Sequence, residues 1–375
     1  MRLAYLYNEI LPTRKAHDAY VWRNCASLAA AGADVTLACG RGSEADDALA
    51  RHYDTTLPSR LRVARLALLR RNLGLPFTWN RVFDAAAQRF LARERPDAVL
   101  LSVRKQGRFH LRHRLEGVRY VYEVHELAWY PTLGEAQARA PAVAAEREIL
   151  AAADLVTVTT EALREILRAP PYALQNPIAV VPLAIAPLPP PPPIAHARPL
   201  HVMYIGQLYP GQGVEDLVDA VARVEGCRLT VVGGSPEDIA RVKARVPAAA
   251  AARIAFTGFV PPASIPALAA SAHAFAAPFR AERRMPFVAH TKLLEYVALQ
   301  RPVVAPALPI VHEHFPRGQG LAAYAANDVD SLAAALESLG DATRWRALAE
   351  GVARLAPNDW EARAAAYLAR LEALR

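Results

Sequence analysis

Short apolar runs alternate with stretches of helical periodicity along almost the whole chain. "LAYLY" near the N-terminus is followed by a helical stretch from about His17 to Ala31, then Gly32 and the run "ADVTLAC". "PDAVLLSV", "RYVYEVHE" and "DLVTVTT" come next, each separated by helical or loop segments. This β-α alternation predicts a mostly parallel sheet covered on both faces. It pauses at "APLPPPPPIAHARP", residues 186–199, where consecutive prolines make a stiff polyproline connector. It restarts with "LHVMYIG", a helix from Gly213, "CRLTVVGG", a helix from Ser235, "RIAFTGFV", "HAFAAPF" and "VVAP". The prediction is an α/β protein of two doubly wound, Rossmann-like domains. They span 1–186 and 200–357, joined by a proline-rich linker over 187–199. A C-terminal amphipathic helix over 358–375 sets Trp360, Ala364, Tyr367, Leu368 and Leu371 on one side, and can pack on either domain, including by crossing back to the first.

Composition narrows the class. Of 375 residues, 53% are hydrophobic and only 21% charged, so each half can bury its own core. No window approaches the ~20 apolar residues of a membrane span. Cys25, Cys39 and Cys227 are widely spaced in apolar contexts, which favours buried thiols and a cytoplasmic protein over a disulfide or metal framework. The net charge of +8 suits polyanions in general. Nucleic acid is not expected, because basic and aromatic residues do not interleave in any recognised way. "SRLRVARLALLRRNLGLPFTWNR", with five arginines before Asn72 and then Phe77 and Trp79, reads in two ways. It is a strand with solvated arginines followed by a loop, or a peripheral contact with anionic lipid on the inner face of the cytoplasmic membrane.

The chemistry concentrates in "HTKLLEYVALQRPVVAP", residues 290–306. Lys292 falls in the first turn of a helix, where the macrodipole disfavours a cation by roughly 0.3–1 kcal/mol. Glu295 interrupts an apolar helix face, and a capping box from Thr291 would place its acid at Leu294 instead. A phosphate or diphosphate on this helix N-terminus removes the anomaly. Dipole, backbone N–H groups and ammonium then converge on one anion, and Glu295 is placed to accept from vicinal hydroxyls such as a ribose. A plain surface pair between the two is the simpler reading. No Walker loop or G-x-G-x-x-G follows a strand. Asp328 and Asp330 read as helix-start acids, and His312 and His314, whose i, i+2 spacing could hold a metal if they lay on a strand, read as structural.

With these residues in view, the segment resembles the donor site of retaining nucleotide-sugar glycosyltransferases of the GT-B fold, family 4 (glycosyl transferases group 1). "YIGQLYPGQGVEDLVDAV", "LTVVGGSPED" and "RIAFTGFVPPASIPAL" resemble successive units of that family's C-terminal domain. "LPTRKAHDAYVWRNCASLAAAGADVTL", "VYEVHEL", "DLVTVTTEALREIL" and "VVPLAI" resemble its N-terminal domain. The resemblance implies two Rossmann-like domains facing across a cleft. It implies transfer of a hexosyl group from a nucleoside-diphosphate sugar to a glycan or lipid-linked acceptor, with no metal or other cofactor required. Glu295 would bind the ribose. Thr291, Lys292 and Leu293 would hold the diphosphate, largely through backbone N–H groups. Gly206 would let the phosphates approach, and Phe259 and Val260 would border the base. His125 would lie near the donor sugar and leaving group. Arg14, Lys15 and His17 in the N-terminal loop would meet an acceptor phosphate, or else are solvated loop charges.

The chain departs from the family pattern in two ways. Phe287 stands where members often carry a second acid, eight residues before the ribose-binding glutamate. Gln207 and Gln212 stand where an arginine and a lysine usually neutralise the diphosphate, with Arg280, Arg283 or Arg284 as replacement cations. Fewer cations at a leaving diphosphate weaken the charge stabilisation that drives such reactions. A GT-B protein that binds nucleotide or glycan with impaired turnover, and a nucleotide-sugar epimerase-like enzyme, are therefore the alternatives.

Overall fold

Parallel pairing accounts for both sheets of the computed structural model, which describes residues 1–13, 16–68 and 80–374. The first sheet contains β1 (Arg2–Tyr7), β2 (Asp34–Gly40), β3 (Leu61–Leu66), β4 (Ala98–Leu101), β5 (Arg119–Val124), β6 (Leu155–Val158) and β7 (Ile178–Val180). Their order is β3-β2-β1-β4-β5-β6-β7. The second contains β8 (Leu200–Ile205), β9 (Cys227–Val232), β10 (Ile254–Gly258), β11 (Ala274–Ala276), β12 (Val303–Pro306) and β13 (Leu321–Tyr324), ordered β10-β9-β8-β11-β12-β13. Central strands are buried on both faces, which is why they read as unbroken apolar runs. Strand order reverses between β1 and β4 in one sheet, and between β8 and β11 in the other. Ligands of such sheets bind beyond the carboxyl ends at these reversals.

The chain divides into two units. Unit 1 is Met1–Pro182 with Asp359–Arg375, and unit 2 is Leu183–Asn358. The boundary precedes the proline run over 187–199. Within unit 2, Arg301 donates to the Pro192 carbonyl at 2.6 Å, and Ile194 packs on the core. The final helix, Trp360–Glu372, is capped by the Asp359 side chain, which accepts from the Ala362 N–H. Its Ala364, Tyr367 and Leu371 join the unit 1 core alongside Val21, Trp22 and Cys25 of the helix Ala16–Ala30.

The arginine-rich segment begins as β3, with its arginines in ion pairs: Arg60 with Asp34 at 2.7 Å, Arg62 with Glu94 at 2.7 Å and Arg65 with Asp46 at 2.6 Å. Of its remaining arginines, Arg81 is exposed in the helix Asn80–Glu94, while Arg70 and Arg71, with Phe77 and Trp79, lie outside the described residues. No helix among the described residues is long and apolar enough to cross a membrane. His312 and His314 belong to a helix, Pro309–His314, which Pro309 opens, so they do not have the strand spacing a metal pair would need. The Asp328 side chain caps the helix Val329–Ser338, accepting from the Ser331 N–H at 2.9 Å.

Candidate functional site

In unit 2 the chemistry gathers where β8 ends. The helix Thr291–Ala298 is short because Gln300 takes a left-handed conformation (φ 49°) and Arg301-Pro302 cannot continue it. Leu294 and Ala298 pack against Leu183, Ile185 and Leu188, which fixes the helix from behind. At its N-terminus His290 supplies no side-chain cap. The His290 ring stacks on Phe279 with centroids 4.0 Å apart and donates from Nε2 to the Met285 carbonyl at 3.0 Å. Burial holds this imidazole down at about 3, so it is neutral. The Leu293 N–H donates to the His290 carbonyl at 3.0 Å and its side chain is fully buried, so Leu293 is not a free diphosphate donor. Among the described residues, the N–H groups of Thr291 and Lys292 have no backbone acceptor.

Lys292 turns inward. Its ammonium donates to the Tyr204 hydroxyl at 2.8 Å and to Gln212 Oε1 at 2.6 Å, and lies 4.1 Å from the centre of the Tyr204 ring. The Phe279 ring is 5.2 Å away. Desolvation pulls this lysine down to about 7, opposed by the Glu295 charge. Among the described residues no carboxylate forms an ion pair with it. Gly206, with φ 146°, ends β8 beside this ammonium: a Cβ there would sit 3.1 Å from Lys292 Nζ. Gly213 is required for a different reason, since its Cβ would overlap the Pro278 carbonyl. The Glu295 carboxyl is half-buried and raised above its ordinary range, mainly by desolvation. It makes no hydrogen bond to another described residue.

The two glutamines divide. Gln212 is buried and engaged with Lys292, which sets it behind the turn and makes it a support for the lysine, whereas Gln207 is exposed. Arg280 is taken up in a two-point pair with Asp216 at 2.8 and 2.7 Å, which raises its affinity for its proton. It therefore pins the loop and is not a spare cation. Arg283 is exposed with a left-handed backbone (φ 49°), and Phe287 is half-buried. Phe259 follows β10 with 78% of its surface exposed, and Val260 packs partly on the core. Tyr204 was not anticipated. It sits two residues before the glycine that ends β8, and its partner is 88 positions away.

In unit 1, His125 follows the last residue of β5. His17 and Tyr20, from the helix Ala16–Ala30, stand edge-on to it at 4.9 and 4.5 Å. His17 thus joins His125 and lies 3.2 Å from Ser102 Oγ through Nε2. Its expected companions Arg14 and Lys15 lie outside the described residues. Burial, reinforced by His17 and Arg363, holds His125 well below the ordinary histidine range, hence neutral. Among the described residues, its Nε2 is buried without a hydrogen-bond partner.

Comparison with known proteins bears on both units. The profile of Glycosyl transferases group 1 matches residues 199–341, and that of the Glycosyl transferase 4-like domain matches residues 17–184. No curated protein matches the chain significantly. Sucrose-phosphate synthase from Thermosynechococcus elongatus superposes with a TM-score of 0.74 at 19% identity, covering 99% of this chain and 98% of that one. HepE from Anabaena, in complex with UDP and glucose, gives 0.70 at 15% identity over 99% of both chains. The lipopolysaccharide outer core galactosyltransferase WaaB gives 0.68 at 13% identity, covering 99% of this chain and 100% of that one. These likenesses establish the GT-B fold.

Proposed function

The chain belongs to the group 1 glycosyl transferases, and on that premise we propose that it moves a hexosyl group from a nucleoside-diphosphate sugar to a glycan or lipid-linked acceptor with retention of configuration. One observation carries this reading. The Lys292 ammonium is buried against neutral acceptors only, beside a glycine turn at the carboxyl end of β8 and the open N-terminus of a helix. A buried cation without an anion is costly, and a diphosphate seated there would offset that cost. Glu295, one turn along, takes the ribose hydroxyls, and the exposed Phe259 with Val260 borders the base. UDP is the first nucleotide to test, because the Anabaena neighbour was solved with UDP and glucose.

In the transfer, the bond from the anomeric carbon to the diphosphate oxygen breaks as the acceptor oxygen bonds to that carbon on the same face. The leaving diphosphate takes the acceptor proton. Lys292 and the helix N-terminus stabilise the charge developing on the diphosphate. Neutral His125 serves as a polarising and orienting group for the sugar.

Incubation with UDP-, GDP- and ADP-sugars, with and without acceptor extracts, tests the proposal through release of free nucleotide. Acceptor-dependent release supports it. Binding without release contradicts it in favour of a protein with impaired turnover, and acceptor-independent conversion contradicts it in favour of an epimerase-like enzyme.

A further inference from the structure

A single buried cation ties the last helix to the surroundings of His125. Arg363 is 2% exposed and donates from Nη1 to the carbonyls of Val181 and Pro182 at 2.6 and 2.5 Å. Its Nε donates to Asn24 Oδ1 at 3.3 Å, and its Nη2 donates to the Tyr20 hydroxyl while lying 3.7 Å from Glu123 Oε1. The Tyr20 hydroxyl in turn donates to Glu123 Oε1 at 3.0 Å. Glu123 is also held by the Tyr5 hydroxyl at 2.5 Å and the Asn24 amide at 3.4 Å. Tyr20 thus meets Glu123 through its hydroxyl and His125 through its ring.

Docking of the helix does not require this arrangement. Ala364, Tyr367 and Leu371 already bury in the unit 1 core, and a buried guanidinium–carboxylate pair adds little net stability over apolar residues of similar size. What the polar chain does fix is the Tyr20 ring, gripped at its hydroxyl from two sides and standing edge-on to His125 at 4.5 Å. His17 closes another side of the imidazole. We propose that Arg363 is a positioning residue for sugar transfer, orienting His125 through Tyr20 so that its unpartnered Nε2 serves the reaction. The inference rests on the assignment of His125 to the transfer step.

The test is a double-mutant cycle on kcat, with Arg363→Gln, Tyr20→Phe and His125→Ala, measured on the most active of UDP-glucose, ADP-glucose and GDP-mannose. Tyr20→Phe keeps the ring and removes only the hydroxyl, so it carries the test even if Arg363→Gln does not fold. Each single change should lower kcat roughly ten- to hundredfold while leaving nucleotide Kd unchanged. In the His125→Ala background, neither of the other changes should lower kcat further. Full activity of Tyr20→Phe, or losses that multiply in the His125→Ala background, overturns the positioning role. Full activity of His125→Ala overturns the underlying assignment instead, so the two failures are distinguishable.

Discussion

The ammonium of Lys292 lies 2.6 Å from the side-chain oxygen of Gln212, across 80 positions of sequence. Gln212 stands at a position where the family resemblance leads to the expectation of a lysine. Here that position supplies an acceptor, and the cation comes from the helix Thr291–Ala298.

This arrangement makes donor binding sensitive to pH. With its ammonium held at about 7, Lys292 loses its proton as pH rises through that value, and a bound diphosphate restores it. Nucleotide affinity should therefore fall between pH 7 and 9, by up to about tenfold per unit. Lys292→Met should bind weakly with a flat profile over the same range. Calorimetric titration with UDP across that range reads the effect, and a wild-type affinity independent of pH contradicts it.

The same lysine weakens the unliganded fold. Its ordinary value is 10.5, so between that and about 7 the unfolded chain holds a proton that the folded chain does not, and stability rises with pH. Replacing Lys292 by Met should stabilise the protein by about 1 kcal/mol at pH 7, with the gain shrinking towards pH 10. Urea unfolding at both values measures this. A loss of stability at pH 7 goes against the account.

Gly206 offers a steric test. Alanine there must adopt φ 146° and bring its Cβ to 3.1 Å from Lys292 Nζ. Gly206→Ala should lose about 1–3 kcal/mol of stability and bind nucleotide more weakly. Unchanged melting and affinity would show that the turn is not constrained.

Much of the fold was legible because parallel strands buried on both faces leave continuous apolar runs, as in Val303–Pro306. The three-residue strand Ile178–Val180 is too short to leave such a run. The helix carrying His312 and His314 is opened by Pro309 and is only six residues long, too short to show a helical period. Lys292 and Glu295 stood out because each breaks a local rule of the helix that carries it. Their partner Tyr204 did not, since a contact spanning 88 positions leaves no local pattern. Arg363 was hidden for a related reason: an arginine outside the apolar stripe of an amphipathic helix reads as solvated, yet here it is 2% exposed.

The final helix should matter to unit 1 alone. Tyr367 is fully buried in that core, and Tyr367→Ala should destabilise it by about 3–5 kcal/mol. Hydrogen exchange should show lost protection in the helix Ala16–Ala30 and its sheet, with β8 to β13 unaffected. Equal loss in both units contradicts the assignment of this helix.

The central claim is that a nucleoside diphosphate sits on the N-terminus of the helix Thr291–Ala298 with its pentose on Glu295. Calorimetric titration of wild type and Glu295→Ala with UDP, GDP and ADP tests it most directly. The account predicts measurable binding of at least one nucleotide and a loss of roughly ten- to hundredfold in the variant, as for hydrogen bonds to a charged group. Equal affinity in both proteins, or no binding of any nucleotide to the wild type, contradicts it.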